Sequence, residues 1–303
     1  MTGGALLVVG DVVTDVVVRH GRALVHGTDT AARISTLPGG AGANVACWAV
    51  RSGCRDVRLL ARAGADSAAW HRGSLERAGV RPLLAVDEET PTGTVVALVD
   101  SSAERTFLTD GGAVLRLAPG DWSPSLLDGV ARLHVSGYLL FAATSRATAL
   151  LALREAGRRG VPVSVDPASA GFLSVLGAGA FLDLVEGVDL LLPNADEARE
   201  LTGLPEPADA AAKLSRHAGR VAVTLGHRGA LLASGGTVTV RVPAPAVRDP
   251  VDSTGAGDAF TGGFLAALLA GADDTAAVAA GCRAGAEAVA TVGGRPGPRT
   301  RRP

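Results

Sequence analysis

Hydrophobic and polar positions divide the chain into two kinds of territory. Residues 6–9 form a continuous apolar run closed by Gly10 and Asp11, the pattern of a strand buried on both faces that ends in a loop. From Leu133 onward such runs recur at 133–137, 161–166, 188–194 and 220–226. Helical periods at 145–159, around 178–184 and at 195–201 separate them. Strands alternating with helices predict a mainly parallel sheet covered on both faces. Earlier in the chain, a glycine loop at Gly39 leads into a helix that ends at Gly53. A strand at 57–61 and a helix at 67–78, closed by Gly79, follow it. Trp48 and Trp70 fall on helical faces and are expected in the core.

Two stretches break this alternation. Residues 16–37 are polar and extended, without a helical period. Residues 92–108 read as a hairpin, two strand-like runs about the polar turn from Ser101 to Glu104. The two stretches are expected to pair as a small sheet beside the main one. The tail GGRPGPRTRRP, rich in Gly, Pro and Arg, is expected to be ordered only at its start, with its last arginines solvated.

Composition narrows the functional classes. Across 303 residues, 29 basic and 30 acidic side chains leave a formal charge of −1, so no basic field invites nucleic acid. Three cysteines (Cys47, Cys54 and Cys282), without CxxC spacing, suggest neither a disulfide framework nor a zinc site. They fit a reducing cytoplasm. The N-terminal apolar run is too short for a signal peptide, and no segment approaches the roughly 20 apolar residues of a membrane span. His20, His26, His71, His134, His217 and His227 show no metal spacing.

The chemistry concentrates in DSTGAGDAF, residues 252–260, which runs directly into an apolar helical pattern. Gly255, Ala256 and Gly257 therefore stand where a loop becomes a helix. Unpaired N–H groups and the helix dipole there favour an anion, most often a phosphate. Asp258 follows at once, placed to take a proton from a hydroxyl attacking that phosphate. An ordinary glycine turn with a first-turn acid would look the same from this motif alone. Elsewhere, Asp11, Asp166, Asn194 and the run Thr224 to Gly226 all fall at strand ends, where ligands of parallel sheets lie.

These motifs, taken in order, closely resemble the ribokinase family, the phosphofructokinase-B type of carbohydrate kinases. The resemblance rests on GDVVTD (10–15), GGAGANVA (39–46), PNADEA (193–198), TLGHRGALL (224–232) and DSTGAGDAF, and spans nearly the whole chain. It implies an α/β fold, a ribokinase-like three-layer sandwich with a mainly parallel sheet. Residues 1–303 would form one domain, with lid segments at about 16–37 and 92–108. It also implies ATP with Mg²⁺ as phosphoryl donor and a hydroxyl of a sugar or nucleoside as acceptor.

Position by position, Asp258 matches the catalytic base of that family, and Gly255, Ala256 and Gly257 its anion hole. Asn194 and Glu197 match the element that holds Mg²⁺ and phosphate, largely through water. Asn194 would equally suit a helix cap. Thr224, Gly226 and Gly229 match the loop along the nucleotide. Without the resemblance, those three would be a plain strand–turn–strand. Asp15, Gly39, Gly40 and Asn44 match positions that bind acceptor hydroxyls. A potassium site beside the anion hole, with carbonyls at Asp252, Thr254, Val289, Val292 and Gly294, is a further implication. So is a homodimer in which two lids clasp, to which the alternating Val16, Val18, Ala23 and Val25 could contribute.

Three departures bear on the acceptor. Val13 and Ala41 stand where ribokinases carry Asn and Lys, which argues against ribose. DPAS, residues 166–169, replaces the Asp-Pro-Asn-x-Arg of the fructokinase and 2-keto-3-deoxygluconate kinase branches, which argues against an acidic sugar. DPAS is similar to the pseudouridine kinase branch, so a nucleoside acceptor is the alternative. A non-catalytic sensor would show damaged motifs, and here they are intact. A nicotinamide oxidoreductase would need GxGxxG opening a helix after the first strand, where this chain has GDVVTD.

Overall fold

The first strand, β1 (Ala5–Val9), explains why the sheet is central: all five of its residues are buried. Ala5, Leu7 and Val9 enter one apolar core and Leu6 and Val8 another, so helices must cover both faces. The computed structural model describes residues 4–100 and 105–297. In chain order, β1 is followed by β2 (Val13–His20), β3 (Ala32–Gly39) and α1 (Ala41–Arg51). Next come β4 (Val57–Gly64), α2 (Ala68–Arg77), β5 (Arg81–Asp87), β6 (Thr92–Val99) and β7 (Arg105–Gly112). After several short 3₁₀ turns come β8 (Val130–Ser136), α3 (Ala143–Arg158), β9 (Val163–Asp166), α4 (Ala170–Leu176) and α5 (Ala178–Leu184). The remainder is β10 (Leu190–Leu191), α6 (Ala195–Thr202), α7 (Pro207–Leu214) and β11 (Arg220–Thr224). It closes with β12 (Ala230–Ser234), β13 (Thr237–Val242), α8 (Ala256–Leu269) and α9 (Asp274–Ala288).

Nine strands form one sheet in the order β13-β12-β11-β10-β9-β8-β1-β4-β5. It is parallel from β11 to β5, and β12 and β13 add an antiparallel margin. Residues of α1, α2, α8 and α9 share the core with Leu6 and Val8, while those of α3 to α7 share the core with Leu7 and Val9. The result is helix, sheet, helix. Among the described residues, no helix is long and apolar enough to cross a membrane.

The two interrupting stretches pair as expected. β2, β3, β6 and β7 make a separate sheet in the order β3-β2-β6-β7. Its strands reach further than the sequence pattern indicated, because at one end pairing continues through Val13–Gly39 and Thr92–Gly112, which lie side by side. The expected turn from Ser101 to Glu104 and the last arginines of the tail lie outside the described residues.

One expectation is corrected. Trp70 is 39% exposed, whereas Trp48 is buried. Helix α2 turns His71 and Leu75 inward, and Trp70 lies on its flank with its ring edge against His71.

Candidate active site

A cavity of about 1220 Å³ lies between the small sheet and the carboxyl edge of the large one. Asp15, Gly40, Asn44, Asn194, Thr254, Gly255, Gly257 and Asp258 all line it, so residues from four separate motifs meet there. A smaller cavity of about 110 Å³ adjoins it, bounded by Asn194, Glu197 and Thr224. Asp166, Ala168, Gly257 and Asp258 face both spaces. Asp258 thus stands at the junction.

Two helix N-termini point into this region and are treated differently. At α1, the Asp11 carboxylate accepts from the N–H groups of Ala41 (2.6 Å) and Gly42 (3.0 Å) and from the Ser136 hydroxyl (2.7 Å). That terminus carries its own anion. At α8, no side chain caps the helix. Ala256 N–H bonds back to Ser253 O, while Gly257 and Asp258 sit in the first turn, whose amides lack a helical carbonyl. Gly255 opens the helix at φ 72°, and a methyl group on it would strike Gly294. Only glycine lets the loop close here.

Asn44, on the buried face of α1, donates from Nδ2 to Asp258 Oδ2 at 2.8 Å. Its Oδ1 is buried without a partner. Burial is the main reason the Asp258 carboxyl titrates well above its ordinary value; the Asn44 hydrogen bond opposes the shift, and Asp166, Asp11 and Asp15 add to it. Asp15 is pushed up to about 7 by burial, against the pull of Arg295. Glu197 and Asp166 are likewise raised, chiefly by burial. The site is therefore a cluster of carboxylates short of positive charge. A cation would relieve it.

Asn194 and Glu197 form a reciprocal cap on α6. Glu197 N–H donates to Asn194 Oδ1 (2.9 Å), Asn194 N–H donates to Glu197 Oε2 (2.9 Å), and Asn194 Nδ2 donates to Glu197 Oε1 (2.7 Å). This cap leaves both side chains on the smaller cavity, so capping does not withdraw them from it. Among the described residues, no group of three His, Cys, Asp or Glu has metal-holding geometry. Thr224 ends β11 beside Asn194, and Leu225 N–H closes the following turn on Gly229 O at 2.7 Å. Gly226 lies exposed in this turn, while Gly229, at φ 99°, abuts the backbone of Val242 and Ala244. Packing alone therefore demands glycine at 229.

Gly39 lies against the Asp15 carboxylate, outside the cavity lining. Asp252 is buried and accepts from Thr254 N–H (2.7 Å) and Gly293 N–H (3.0 Å). Val289 O accepts from the N–H groups of Val251 and Asp252, and Gly294 O from the Trp48 indole at 2.9 Å. Val292 is 44% exposed.

Several lining or supporting residues escaped the sequence reading. Tyr138, Phe141 and Phe172 line the main cavity from the edges of β8 and α4. Arg295, at the start of the tail, was given no role and donates to Gly39 O (3.2 Å) and Ser74 Oγ (2.8 Å). Asp11 and Asp166 were noted only as strand-end residues.

A family model described as pfkB family carbohydrate kinase matches residues 5–301. The chain is 34% identical over 281 residues to a fructokinase of Klebsiella pneumoniae, covering 88% of this chain and 85% of that one. Adenosine kinase from Sinorhizobium meliloti superposes with a TM-score of 0.88 at 22% identity, over 97% of this chain and 96% of its own. A ribokinase from Cryptococcus neoformans, solved in complex with ADP, gives 0.78 at 24% identity, over 96% and 95%. At those identities the two structures speak to the fold, which they share with this chain.

Proposed function

The chain belongs to the pfkB family of carbohydrate kinases, and from that premise we propose that it moves the terminal phosphoryl group of ATP, with Mg²⁺, onto a hydroxyl of a small sugar or sugar-like molecule. The observation that carries this reading is Asp258, hydrogen-bonded to Asn44 in the first turn of an uncapped helix where two cavities meet. Asp258 accepts the proton of the acceptor hydroxyl as that oxygen bonds to the terminal phosphorus and the bond to the β-phosphate oxygen breaks. A carboxylate whose affinity for protons is raised is a better base near neutral pH. The amides of Gly255, Ala256 and Gly257 would stabilise charge on the moving phosphoryl oxygens.

Asp15, Gly39, Gly40 and Asn44 would hold the acceptor, with the unpartnered Asn44 Oδ1 open to a hydroxyl proton. Thr224, Gly226 and Gly229 would follow the nucleotide. Glu197 and Asn194 fit Mg²⁺ held largely through water, because the ion's charge would answer the surplus of carboxylates around them. Bound there, it supplies charge neutralisation for the phosphates. Potassium beside the anion hole, on carbonyls of Asp252, Thr254, Val289, Val292 and Gly294, belongs to the same proposal. It would share the Val289 and Gly294 carbonyls with their existing donors. Equal activity in potassium and in a bulky organic cation would remove it.

The small sheet would act as a lid that excludes water from the reaction. Its outer face carries Val16, Val18, Ile34 and Leu108, of which Ile34 is 64% and Leu108 57% exposed. We place a homodimer contact there, and a single-chain mass by light scattering would exclude it. The function itself is tested with γ-labelled ATP, Mg²⁺ and a panel of sugars and nucleosides. The expected product is a labelled phosphate ester of one acceptor class. Nucleotide binding without transfer to any acceptor would identify a sensor instead.

A further inference from the structure

We propose that the acceptor is an uncharged, hydroxylated ring bearing a flat apolar substituent, and that Phe107, Phe141 and Phe172 hold that substituent. The inference rests on the kinase reading for the direction of transfer, but not for the binding it describes.

Charge gives the first half of it. Asp11, Asp15, Asp166 and Asp258 line the main cavity, and no Lys or Arg does among the described residues. Arg295, half-buried behind the lining, gives its two terminal nitrogens to Gly39 O and Ser74 Oγ. An acceptor carrying a carboxylate or phosphate would meet four acidic side chains and no basic one in the lining, with Arg295 acting only from behind it. Desolvating an unpaired anion there is costly.

Register gives the second half. Alternate residues of the small sheet face the cavity: Asp15 and Val17 on β2, Val95 and Ala97 on β6, Phe107 and Thr109 on β7. Pairing sorts them into rows. Asp15, Val95 and Thr109 stand side by side, and Val17, Ala97 and Phe107 form the next row, about 7 Å further along the strands. A polar row for hydroxyls is thus followed by a wholly apolar one.

The large sheet supplies the matching wall. Phe141 and Phe172 stack with centroids 5.2 Å apart, and Tyr138 meets Phe172 edge-on at 5.9 Å. All three rings line the same cavity as Phe107. Phe107 is 52% and Phe172 39% exposed, so apolar ring surface from both walls stands uncovered. None of these rings borders the smaller cavity of Glu197 and Thr224; Phe107, Phe141 and Phe172 open only onto the main cavity, which Asp15 and Asn44 also line. Apolar surface there serves the acceptor. A nucleobase and an aryl or alkyl aglycone share this chemistry.

The test compares matched acceptors on the full chain: an unsubstituted neutral sugar, its methyl and phenyl glycosides, nucleosides, and a sugar acid or sugar phosphate. Calorimetric binding is measured without ATP, and initial rates with ATP and Mg²⁺. Substituted neutral rings are expected to bind roughly ten- to a hundredfold more tightly than the bare sugar, the range one hydrophobic pocket discriminates. Phe172→Ala should collapse that difference by raising KM for the substituted acceptors, and Phe172→Tyr should restore it. KM for ATP should move less than twofold. If Phe172→Ala does not fold, Phe107→Ala on the small sheet carries the same comparison. Nucleosides ahead of phenyl glycosides would identify a base whose polar edge is also read, and parity would identify apolar contact alone; both support the proposal. A bare sugar or an anionic one as the best ligand would overturn it while leaving the kinase reading in place. Tight binding of substituted rings without transfer would do the reverse.

Discussion

At the end of the site we propose for the donor, short contiguous runs of chain come together: Gly255 to Asp258 at the mouth of α8, Asn194 to Glu197 at the start of α6, and the turn after β11. At the proposed acceptor end, side chains from β2, β6, β7, α1, α4 and the C-terminal segment converge from positions far apart in the chain. The contrast has a physical origin. A phosphate is the same anion in every donor, and backbone amides at a helix start suffice to hold it. Selecting an acceptor takes shape and polarity, which only side chains supply. On the proposed reading the donor end rests mainly on backbone and the acceptor end on side chains.

Asn44 is where the two ends touch, and its removal should have the largest effect on their cooperation. Asn44→Ala strips Asp258 of its one side-chain hydrogen bond and the acceptor of a partner. A loss in kcat/KM for the acceptor of about ten- to a hundredfold is expected, the worth of one hydrogen bond to a charged group. KM for ATP should change little if the donor end stands apart. A parallel rise in both KM values would erase the distinction between the ends.

Titration sharpens the comparison next. Asp15 at the acceptor end, at about 7, and Glu197 at the donor end both bind protons more tightly in the folded protein than in the unfolded chain. Their stabilisation is complete below the unfolded carboxylate range near pH 4 and is lost as pH rises through the folded values. His71 and His134, held down to about 4 and about 3 by burial, act in the opposite sense, but only below about pH 7. Between pH 7 and 8 the histidines no longer contribute, and the thiols of Cys47, Cys54 and Cys282, raised by burial, act in the same sense as the carboxylates, so Tm of the ligand-free protein should fall by about 2 °C. Mg²⁺ with ATP should flatten the slope contributed by Glu197. A Tm that rises across this interval would contradict the carboxylate cluster.

The smallest effect concerns Ala168, which faces both cavities and is the one described non-glycine residue at positive φ, 77°. Asp166 Oδ1 holds its N–H at 2.8 Å and so fixes the turn. A left-handed alanine costs about 1–2 kcal/mol, part of which glycine returns in chain entropy. Ala168→Gly should therefore raise Tm by about 1–2 °C. A lower Tm would show that the turn is not strained.

Legibility followed the same division. The loop-to-helix junction at Gly255, the cap at Asn194 and the interruptions that became the small sheet could all be read from local pattern, because local backbone makes them. Helix α9 could not: its Ala and Gly residues leave no apolar stripe to count. Strand β5 contains Pro82, tolerated because the strand lies at the sheet edge. Phe141 and Phe172 meet only through the packing of β8 and β9, and nothing in their spacing announces it. Arg295 lies in the start of the tail, which was expected to be ordered, but its acceptors on Gly39 and Ser74 are too far off in the chain for local pattern to announce them.

The central claim is that Asp258 joins a generic donor end to a specific acceptor end. Asp258→Asn keeps the shape and removes the base. With the acceptor identified, the account predicts a kcat lower by about a hundredfold or more, with calorimetric ATP binding retained. Turnover within a few-fold of the unsubstituted protein would take Asp258 out of the mechanism.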